Sequence, residues 1–578
     1  MKRRTLVGCL IALALLGFLI IAGVYFFQQA VGRAPLPRSF VLRLDLQGEL
    51  MEFVPFTPWE VFQVRRPLSV WEMVRAIDTA RQDDRVRGLV LVVRDVSAGL
   101  AKLQELHAAL QRFRQSGKKV AAYVEEVGDA GYLVASAADS VTAPPGGFLV
   151  LNGVRGAFMA LKGFLDKLGI EFQMVQYGPY KSAADVFTKE SISPEVREML
   201  TWIATSLDRQ YRDSVVRGRP IPRDRWADLV ARGIFTAESA LAAKLIDRIE
   251  PWSEFEQRMR TEWSDRWVSL RRYYDAMPEP KGRERVRCAL VFAVGGIFTG
   301  RGNPGENIGS ERYVEWLDEI ARDKTIRCVL IRNDSPGGSG TASDQILAAV
   351  ERVKKAGKVV VVSMSDVAGS GGYYISMNAD RIVAQPGTIT GSIGVFAGKP
   401  VFQKTMDKLG IHVYEIYANP KAGMWSPFAY MTEDQLHALQ EEIGRFYQMF
   451  VAKVAQHRKM SYEAVDAIAQ GRIWTGEQAQ EHRLVDRLGG FPEAQEEILS
   501  LLKKPKDTRI EWKVYPRRRT PWEVLLEIGE SDSFPARLRR DIDGRGVLPR
   551  LLESYLAVLQ DPVLLVMPPV GFGFHASP

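Results

Sequence analysis

The chain has 578 residues, which is too many for one ordinary domain and predicts two to four domains. With 46% hydrophobic and 25% charged residues, the composition is that of a folded globular protein. It excludes a mainly disordered chain, a collagen-like chain and a polytopic membrane protein. The net charge of +8 is small for this length and comes without a dense tract of lysine and arginine, so nucleic acid is not expected as a partner.

Residues 1–30 predict a membrane anchor. Three basic residues at positions 2–4 precede an uncharged stretch from Thr5 to Phe27. As a helix this stretch would be about 35 Å long, which is enough to cross a bilayer. The basic residues predict that the N-terminus stays cytoplasmic and that the rest of the chain lies beyond the membrane, with membrane lipid as a partner. A cleaved signal peptide is the alternative, because small residues follow at 30–32.

The body of the chain contains a repeat with a period of about 240 residues. Residues 165–170 match residues 406–411, and residues 235–249 match residues 474–488. Several matches in one order indicate a duplicated domain. We predict a first domain at 38–280, a second at 281–504, and a tail at 505–578 that falls outside the repeat. This tail could contact the membrane or another subunit, or be buried against the body.

Each half alternates short β-branched runs with a helical pattern, which predicts β-α-β units, a parallel sheet and an α/β fold. The predicted strands are 89–93 and 120–124 in the first half and 328–331 and 359–362 in the second, with helices at 103–115 and 343–355 between them.

The three cysteines are too few for a disulfide framework. Cys9 lies in the apolar N-terminus, and Cys288 and Cys328 lie in strand-like runs. We predict all three to be buried free thiols.

Two glycine-rich loops distinguish the second half from the first. Residues 333–339 (NDSPGGS) and 368–374 (AGSGGYY) each follow a predicted strand, and the second loop holds Ser370 where a strand should turn into a helix. Such a turn can expose a hydroxyl and place backbone N–H groups beside it. The first half has only one glycine in the first of these loops and has Asp129 at the position of Ser370. Chemistry is therefore expected in the second half.

A serine nucleophile needs a base, and none of the six histidines lies in a glycine-rich loop. A lysine can serve if burial lowers its pKa, but the residues alone do not say which lysine. The chain lacks zinc and nucleotide motifs, so we expect no metal and no cofactor.

These motifs resemble those of the bacterial signal peptide peptidase A family, in its long, duplicated and membrane-anchored form. The resemblance covers about residues 40–500 and is most specific at SPGGS (335–339), GSGGYY (369–374), TGSIGV (390–395) and GPYKSA (178–183). It implies two tandem Clp protease/crotonase-like domains after an N-terminal transmembrane helix, and a Ser/Lys peptidase.

Carried over by this resemblance, Ser370 is the nucleophile, Lys181 is the general base, and Ser392 holds the lysine amine. Both halves carry a lysine at this place, because Lys421 aligns with Lys181. The resemblance favours Lys181, since the family uses the first repeat and Lys421 lacks the following Ser-Ala.

The resemblance also implies where the oxyanion is bound and what is cleaved. Gly337 or Gly338 would supply one backbone donor, and Gly371 a second. The substrates would be unstructured apolar peptides, notably released signal peptides. The enzyme would be a homo-oligomer, namely a tetramer. It would be anchored in the bacterial inner membrane, with its catalytic body outside the cytoplasm. The alternatives are a peptide-binding scaffold whose peptidase site has decayed and a crotonase-like enzyme acting on acyl-CoA.

Overall fold

A computed structural model describes residues 35–54, 66–278, 284–517, 564–566 and 571–573. The predicted anchor at 5–27 and Cys9 lie outside these ranges. Within them, no helix combines the length and the apolar character that a membrane span requires.

The described residues of the first half form eleven strands and ten helices. The strands are β1 (Phe40–Glu49), β2 (Val86–Ser97), β3 (Lys119–Val124), β4 (Glu126–Val127), β5 (Ser140–Ala143), β6 (Phe148–Leu151), β7 (Arg155–Ala157), β8 (Glu171–Tyr177), β9 (Gly233–Thr236), β10 (Arg248–Ile249) and β11 (Trp267–Ser269). The helices are α1 (Val70–Ala80), α2 (Leu100–Gln115), α3 (Asp129–Ala135), α4 (Lys162–Leu168), α5 (Asp185–Thr188), α6 (Pro194–Gly218), α7 (Trp226–Arg232), α8 (Ala237–Ala242), α9 (Trp252–Glu262) and α10 (Leu270–Ala276).

The described residues of the second half form fourteen strands and eight helices, and the last two strands lie near the C-terminus. The strands are β12 (Arg285–Val294), β13 (Gly296–Phe298), β14 (Asn307–Gly309), β15 (Cys328–Ser335), β16 (Gly337–Ser339), β17 (Val359–Gly369), β18 (Arg381–Ala384), β19 (Ile389–Gly391), β20 (Val395–Val401), β21 (Ile473–Thr475), β22 (Arg487–Leu488), β23 (Arg509–Tyr515), β24 (Leu564–Val566) and β25 (Gly571–Gly573). The helices are α11 (Ser310–Arg322), α12 (Gly340–Lys355), α13 (Gly371–Ser376), α14 (Gln403–Leu409), α15 (Glu433–Arg458), α16 (Tyr462–Ile468), α17 (Gly476–Glu481) and α18 (Phe491–Leu501).

The two halves build main sheets with the same strand order. In the first, six parallel strands run β11-β1-β2-β3-β5-β10, and in the second, β23-β12-β15-β17-β18-β22 are parallel in the equivalent order. The predicted β-α-β units are present in both, as β2-α2-β3 and β15-α12-β17. The α/β class and the duplication are therefore confirmed.

Both faces of each main sheet are covered, which explains the nearly continuous apolar strands. In β2 the residues Leu89, Leu91 and Val93 point into one core, whereas Val90 and Val92 point into a second core on the other face. A strand buried on both sides needs apolar residues at every position, and the pattern that predicted it arises from this need.

The second sheet extends beyond the predicted end of its domain at residue 504. β23 pairs in parallel with β12, in the place that β11 takes beside β1 in the first sheet. Placing all residues from 505 onward outside the repeat was therefore wrong. The first of them complete the second sheet, and Trp512 on β23 takes the place of Trp267 on β11.

Cys288 and Cys328 lie directly opposite each other on the neighbouring strands β12 and β15. Their Cα atoms are 4.7 Å apart and the structure joins the sulfurs in a disulfide. The prediction of two free thiols was wrong, because the register between two strands cannot be read from the spacing of their residues.

The two repeats share one interface that is rich in buried charge. Arg332 on β15 is completely buried and pairs with Glu52 and Glu105 of the first repeat, at 2.8 Å and 2.6 Å. Strand β8 of the first repeat pairs antiparallel with β20 of the second repeat, and not with the main sheet of its own repeat. This pairing places the residues that follow β8 against the second repeat.

Candidate active site

Ser370 sits at the sharp turn between β17 and α13, as the glycine-flanked sequence predicted. Its backbone has φ +54° and ψ −113°, a strained conformation for a residue with a side chain. The Ser370 N–H donates to the carbonyl of Gly391 at 2.8 Å, which holds the turn in place. The side chain is completely buried.

The glycines after Ser370 are required by close packing. A Cβ on Gly371 would lie 2.7 Å from Oγ of Ser343 and 3.1 Å from the nitrogen of Gly338. A Cβ on Gly372 would lie 2.5 Å from the carbonyl oxygen of Ser335. Helix α13 can therefore begin against the 335–338 loop only because both positions lack a side chain.

Lys181 reaches Ser370 from the first repeat. It follows β8, and its Nζ lies 2.7 Å from Oγ of Ser370. The Nζ donates to the carbonyl oxygen and to Oγ of Ser392, both at 3.0 Å. The structure thus brings together three residues that the sequence named, across 189 residues between Lys181 and Ser370.

Burial lowers the pKa of Lys181. The side chain is completely buried, and this loss of water holds the pKa of its amine well below the ordinary value of 10.5. The side chain passes glycines of the second repeat. A Cβ on Gly394 would lie 3.1 Å from Cδ of Lys181, and one on Gly471 would lie 2.3 Å from its backbone nitrogen. Gly471 was not predicted from the sequence, since a lone glycine after a helix normally marks only a helix end.

The other lysine of the repeat, Lys421, lies on an exposed segment. It is Lys181, and not Lys421, that meets Ser370 in the described residues. At the degenerate position of the first repeat, Asp129 accepts hydrogen bonds from the N–H groups of Asn152 and Gly153, both at 3.2 Å. Burial raises the pKa of Asp129 to about 6.

The predicted oxyanion donors lie beside Ser370. Gly337 has φ +101° and starts β16, and its N–H donates to Oγ of Ser335 at 3.2 Å. Because that donor is engaged, Gly338 and Gly371 are the better candidates for binding an oxyanion. The roles of all three remain predictions.

A buried ion cluster ties the two catalytic loops together and was missed by the sequence analysis. Nζ of Lys102, on α2 of the first repeat, lies 2.7 Å from Asp334 and 3.1 Å from Asp366. Asp334 directly precedes the 335–339 loop, and Asp366 lies four residues before Ser370. The N–H of Val367 also donates to Asp334, at 3.1 Å. Only the aspartate next to the SPGGS motif could have drawn attention to this cluster.

Comparison with known proteins gives matches over both repeats. Peptidase family S49 matches residues 112–264 and again residues 352–504. A protein named Protease 4 from Salmonella typhi is 32% identical over 514 residues, covering 84% of this chain and 82% of that protein. The chloroplastic serine protease SPPA of Arabidopsis thaliana is 30% identical over 472 residues, covering 79% and 68%. A solved structure of ClpP1 from Listeria monocytogenes aligns with 36% of this chain and 94% of its own, at 16% identity and a TM-score of 0.25.

Proposed function

This chain belongs to peptidase family S49, with two copies of the family's domain, and from that membership we propose that it is a membrane-anchored serine endopeptidase with a Ser370–Lys181 dyad. The observation that carries the proposal is the 2.7 Å contact between the Lys181 amine and the Ser370 hydroxyl in a fully buried site. We further propose the Clp protease/crotonase fold for both domains, a cytoplasmic N-terminus, and a catalytic body outside the inner membrane.

In the proposed mechanism neutral Lys181 removes the proton from Oγ of Ser370 as that oxygen attacks a peptide carbonyl. The N–H groups of Gly338 and Gly371 would bind the oxyanion of the tetrahedral intermediate. The resulting ammonium of Lys181 would protonate the leaving amine. The same lysine would then take a proton from the water that releases the acyl group from Ser370.

Ser392 would position the base. Its carbonyl and hydroxyl oxygens accept both N–H groups of a neutral amine, which leaves the nitrogen lone pair directed at Ser370. The turn at Ser392 is itself strained, with φ +52°, and its N–H donates to the carbonyl of Arg472 at 2.7 Å. A rigid turn keeps the lysine from rotating away.

The proposed substrates are unstructured apolar peptides such as released signal peptides. The dyad is completely buried, so a folded protein cannot reach it, and a thin extended peptide would need the smallest rearrangement to do so. A protein anchored through residues 5–27 would meet such peptides at the membrane.

We also propose that copies of the chain join by repeating the contact between its two repeats. Within the chain, β8 adds to β20, and β21 is covered by the first repeat, so that Ile473 is 1% exposed. The segment equivalent to β8, residues 411–417, is exposed and forms no strand, and the counterpart of Ile473, Ile234, is 64% exposed. Two neighbouring copies, one at each surface, would cover them in a closed homo-oligomer, here a tetramer.

The test is digestion of a synthetic signal peptide followed by mass spectrometry of the products. We expect Ser370→Ala and Lys181→Met each to reduce hydrolysis by at least about a thousandfold, because each removes one half of the dyad. Lys421→Met is the matched control and should keep wild-type activity. Undiminished cleavage by Ser370→Ala would refute the proposed dyad.

A further inference from the structure

The short segment between α16 and β21 of the second repeat contacts both sides of the Lys181 site. The carbonyl of Gln470 accepts from the N–H of Tyr180, the residue before Lys181, at 3.1 Å. Two residues later, the carbonyl of Arg472 accepts from the N–H of Ser392 at 2.7 Å. This segment therefore fixes the backbone beside the proposed base relative to the serine that accepts from its amine.

The side chain of Arg472 turns back toward the first repeat. Its guanidinium carbon lies 4.0 Å from the centre of the Tyr180 ring, and a cation at this distance from an aromatic ring is attracted to it. Nη1 of the same guanidinium donates to the carbonyls of Ala467 and Ala469, at 3.2 Å and 3.4 Å. The guanidinium is thus fixed by its own repeat and binds the side chain next to Lys181.

Tyr180 lies at the border between the buried site and the surface. It is 9% exposed, it adjoins the completely buried Lys181, and its hydroxyl donates to the exposed Glu198 at 3.1 Å. Trp202, whose ring centre is 5.9 Å from that of Tyr180, lines with Glu198 a cleft of about 850 Å³ between α6 and α17. Solvent in this cleft therefore comes close to Tyr180.

We propose that Arg472 and Tyr180 are positioning residues for Lys181. The guanidinium holds the Tyr180 ring against the cleft, and the ring keeps water from the Lys181 amine. Through its carbonyl, Arg472 also holds Ser392, so that the amine stays directed at Ser370. This inference rests on the proposed function, and it adds the means by which the two repeats together keep the base dry and aligned.

The test measures peptide hydrolysis by full-length Arg472→Ala from pH 6 to 10. Without the guanidinium the Tyr180 ring is free to move and water enters from the cleft. Since burial is what lowers the pKa of Lys181, this pKa should rise. Only the neutral amine removes a proton, so the acidic limb of kcat/KM should move to higher pH by at least about one unit. Below that limb kcat should fall at least about tenfold and KM change less than about threefold, with activity recovering at higher pH.

Three further variants separate this role from a general loss of structure. Tyr180→Leu removes the ring but leaves the guanidinium, and it should show the same shift as Arg472→Ala. Arg472→Lys keeps a cation that can lie on the ring, and it should recover part of the shift and of kcat. Arg43→Ala removes another stacked guanidinium, 5.1 Å from the Trp252 ring on the first repeat, and it should match wild type in both quantities.

A second measurement does not depend on catalysis. Lys181 makes the free energy of unfolding rise with pH, and its share is the difference from Lys181→Met in the same background. This share should be smaller between pH 5 and 9 in Arg472→Ala than in wild type. An unshifted pH profile in folded Arg472→Ala and Tyr180→Leu, or an equal share, would overturn this inference and leave the dyad standing. Cleavage by Ser370→Ala would refute the proposed function, and the unfolding measurement would still decide the inference.

Discussion

A neutral lysine amine has two N–H groups and one lone pair, and three oxygen atoms lie within hydrogen-bond distance of the Lys181 amine. In the neutral form both hydrogens can go to the carbonyl and hydroxyl oxygens of Ser392, and the lone pair then accepts from the hydroxyl of Ser370. An ammonium at the same place could donate its third hydrogen to Oγ of Ser370, but no salt bridge to Lys181 is present among the described residues. Burial is therefore the cause of the low pKa of Lys181, and the three hydrogen-bond partners accommodate either protonation state.

The lowered pKa of Lys181 predicts how the stability of the protein depends on pH. The pKa of Lys181 is 10.5 in the unfolded chain and well below that when folded, so between the two values the unfolded chain binds one more proton. The free energy of unfolding should therefore rise with pH by up to about 1.4 kcal/mol per unit from this group alone. Urea unfolding at pH 7, 8 and 9 should show this slope in wild type relative to Lys181→Met. A difference that does not change with pH would mean that Lys181 is charged when folded.

At the scale of elements, helix α2 of the first repeat acts on two strands of the second. The N–H groups of Gly99 and Lys102, at the start of the helix, donate to Asp366 on β17, both at 3.0 Å, and the Lys102 amine joins Asp366 to Asp334 on β15. Burial alone would lower the pKa of Lys102, but the two aspartates raise it above its ordinary value. One helix of the first repeat thereby fixes both strand ends that carry the catalytic loops.

Removing the Lys102 amine should disturb catalysis without touching the reacting atoms. Lys102→Met leaves two buried aspartates without their cation, which should cost about 3–5 kcal/mol of unfolding free energy. We expect kcat to fall by more than KM rises, because the 335–339 loop and the Ser370 turn shift relative to each other. Lys102→Arg, which keeps the charge, should recover part of both quantities. Wild-type kcat in a folded Lys102→Met protein would contradict this positioning role.

How far the sequence predicts these elements depends on what each one needs. The strands of the main sheets were found because burial on both faces demands an apolar run, and Ser370 and Lys181 were named from their motifs and a family resemblance. The contacts between repeats could not be found in this way. Arg332 interrupts an apolar strand and its partner Glu52 is 280 residues away, so only the folded chain shows that the charge is compensated.

At the scale of the whole molecule, the proposed oligomer can be tested at the exposed segment 411–417. Ile416 is 97% exposed, so Ile416→Asp should fold normally but place a charge in the proposed contact and weaken association at least about tenfold. Light scattering at micromolar concentration should show the mass of one chain. Ile234→Asp, on the opposite surface, should act alike, and Lys324→Asp, at an exposed turn, should not. Unchanged mass in both isoleucine variants would refute this mode of assembly.

The division of the proposed dyad between the repeats also has a consequence in time. The base is translated 189 residues before the nucleophile, which at about 5–20 residues per second is a delay of roughly 10 to 40 s. With this dyad, a ribosome that stops before the second repeat would release a fragment that has the base but no nucleophile. The enzyme would thus be inactive from the start of its synthesis until the second repeat has been made. A removable pro-segment would not be needed to protect the cell during that time.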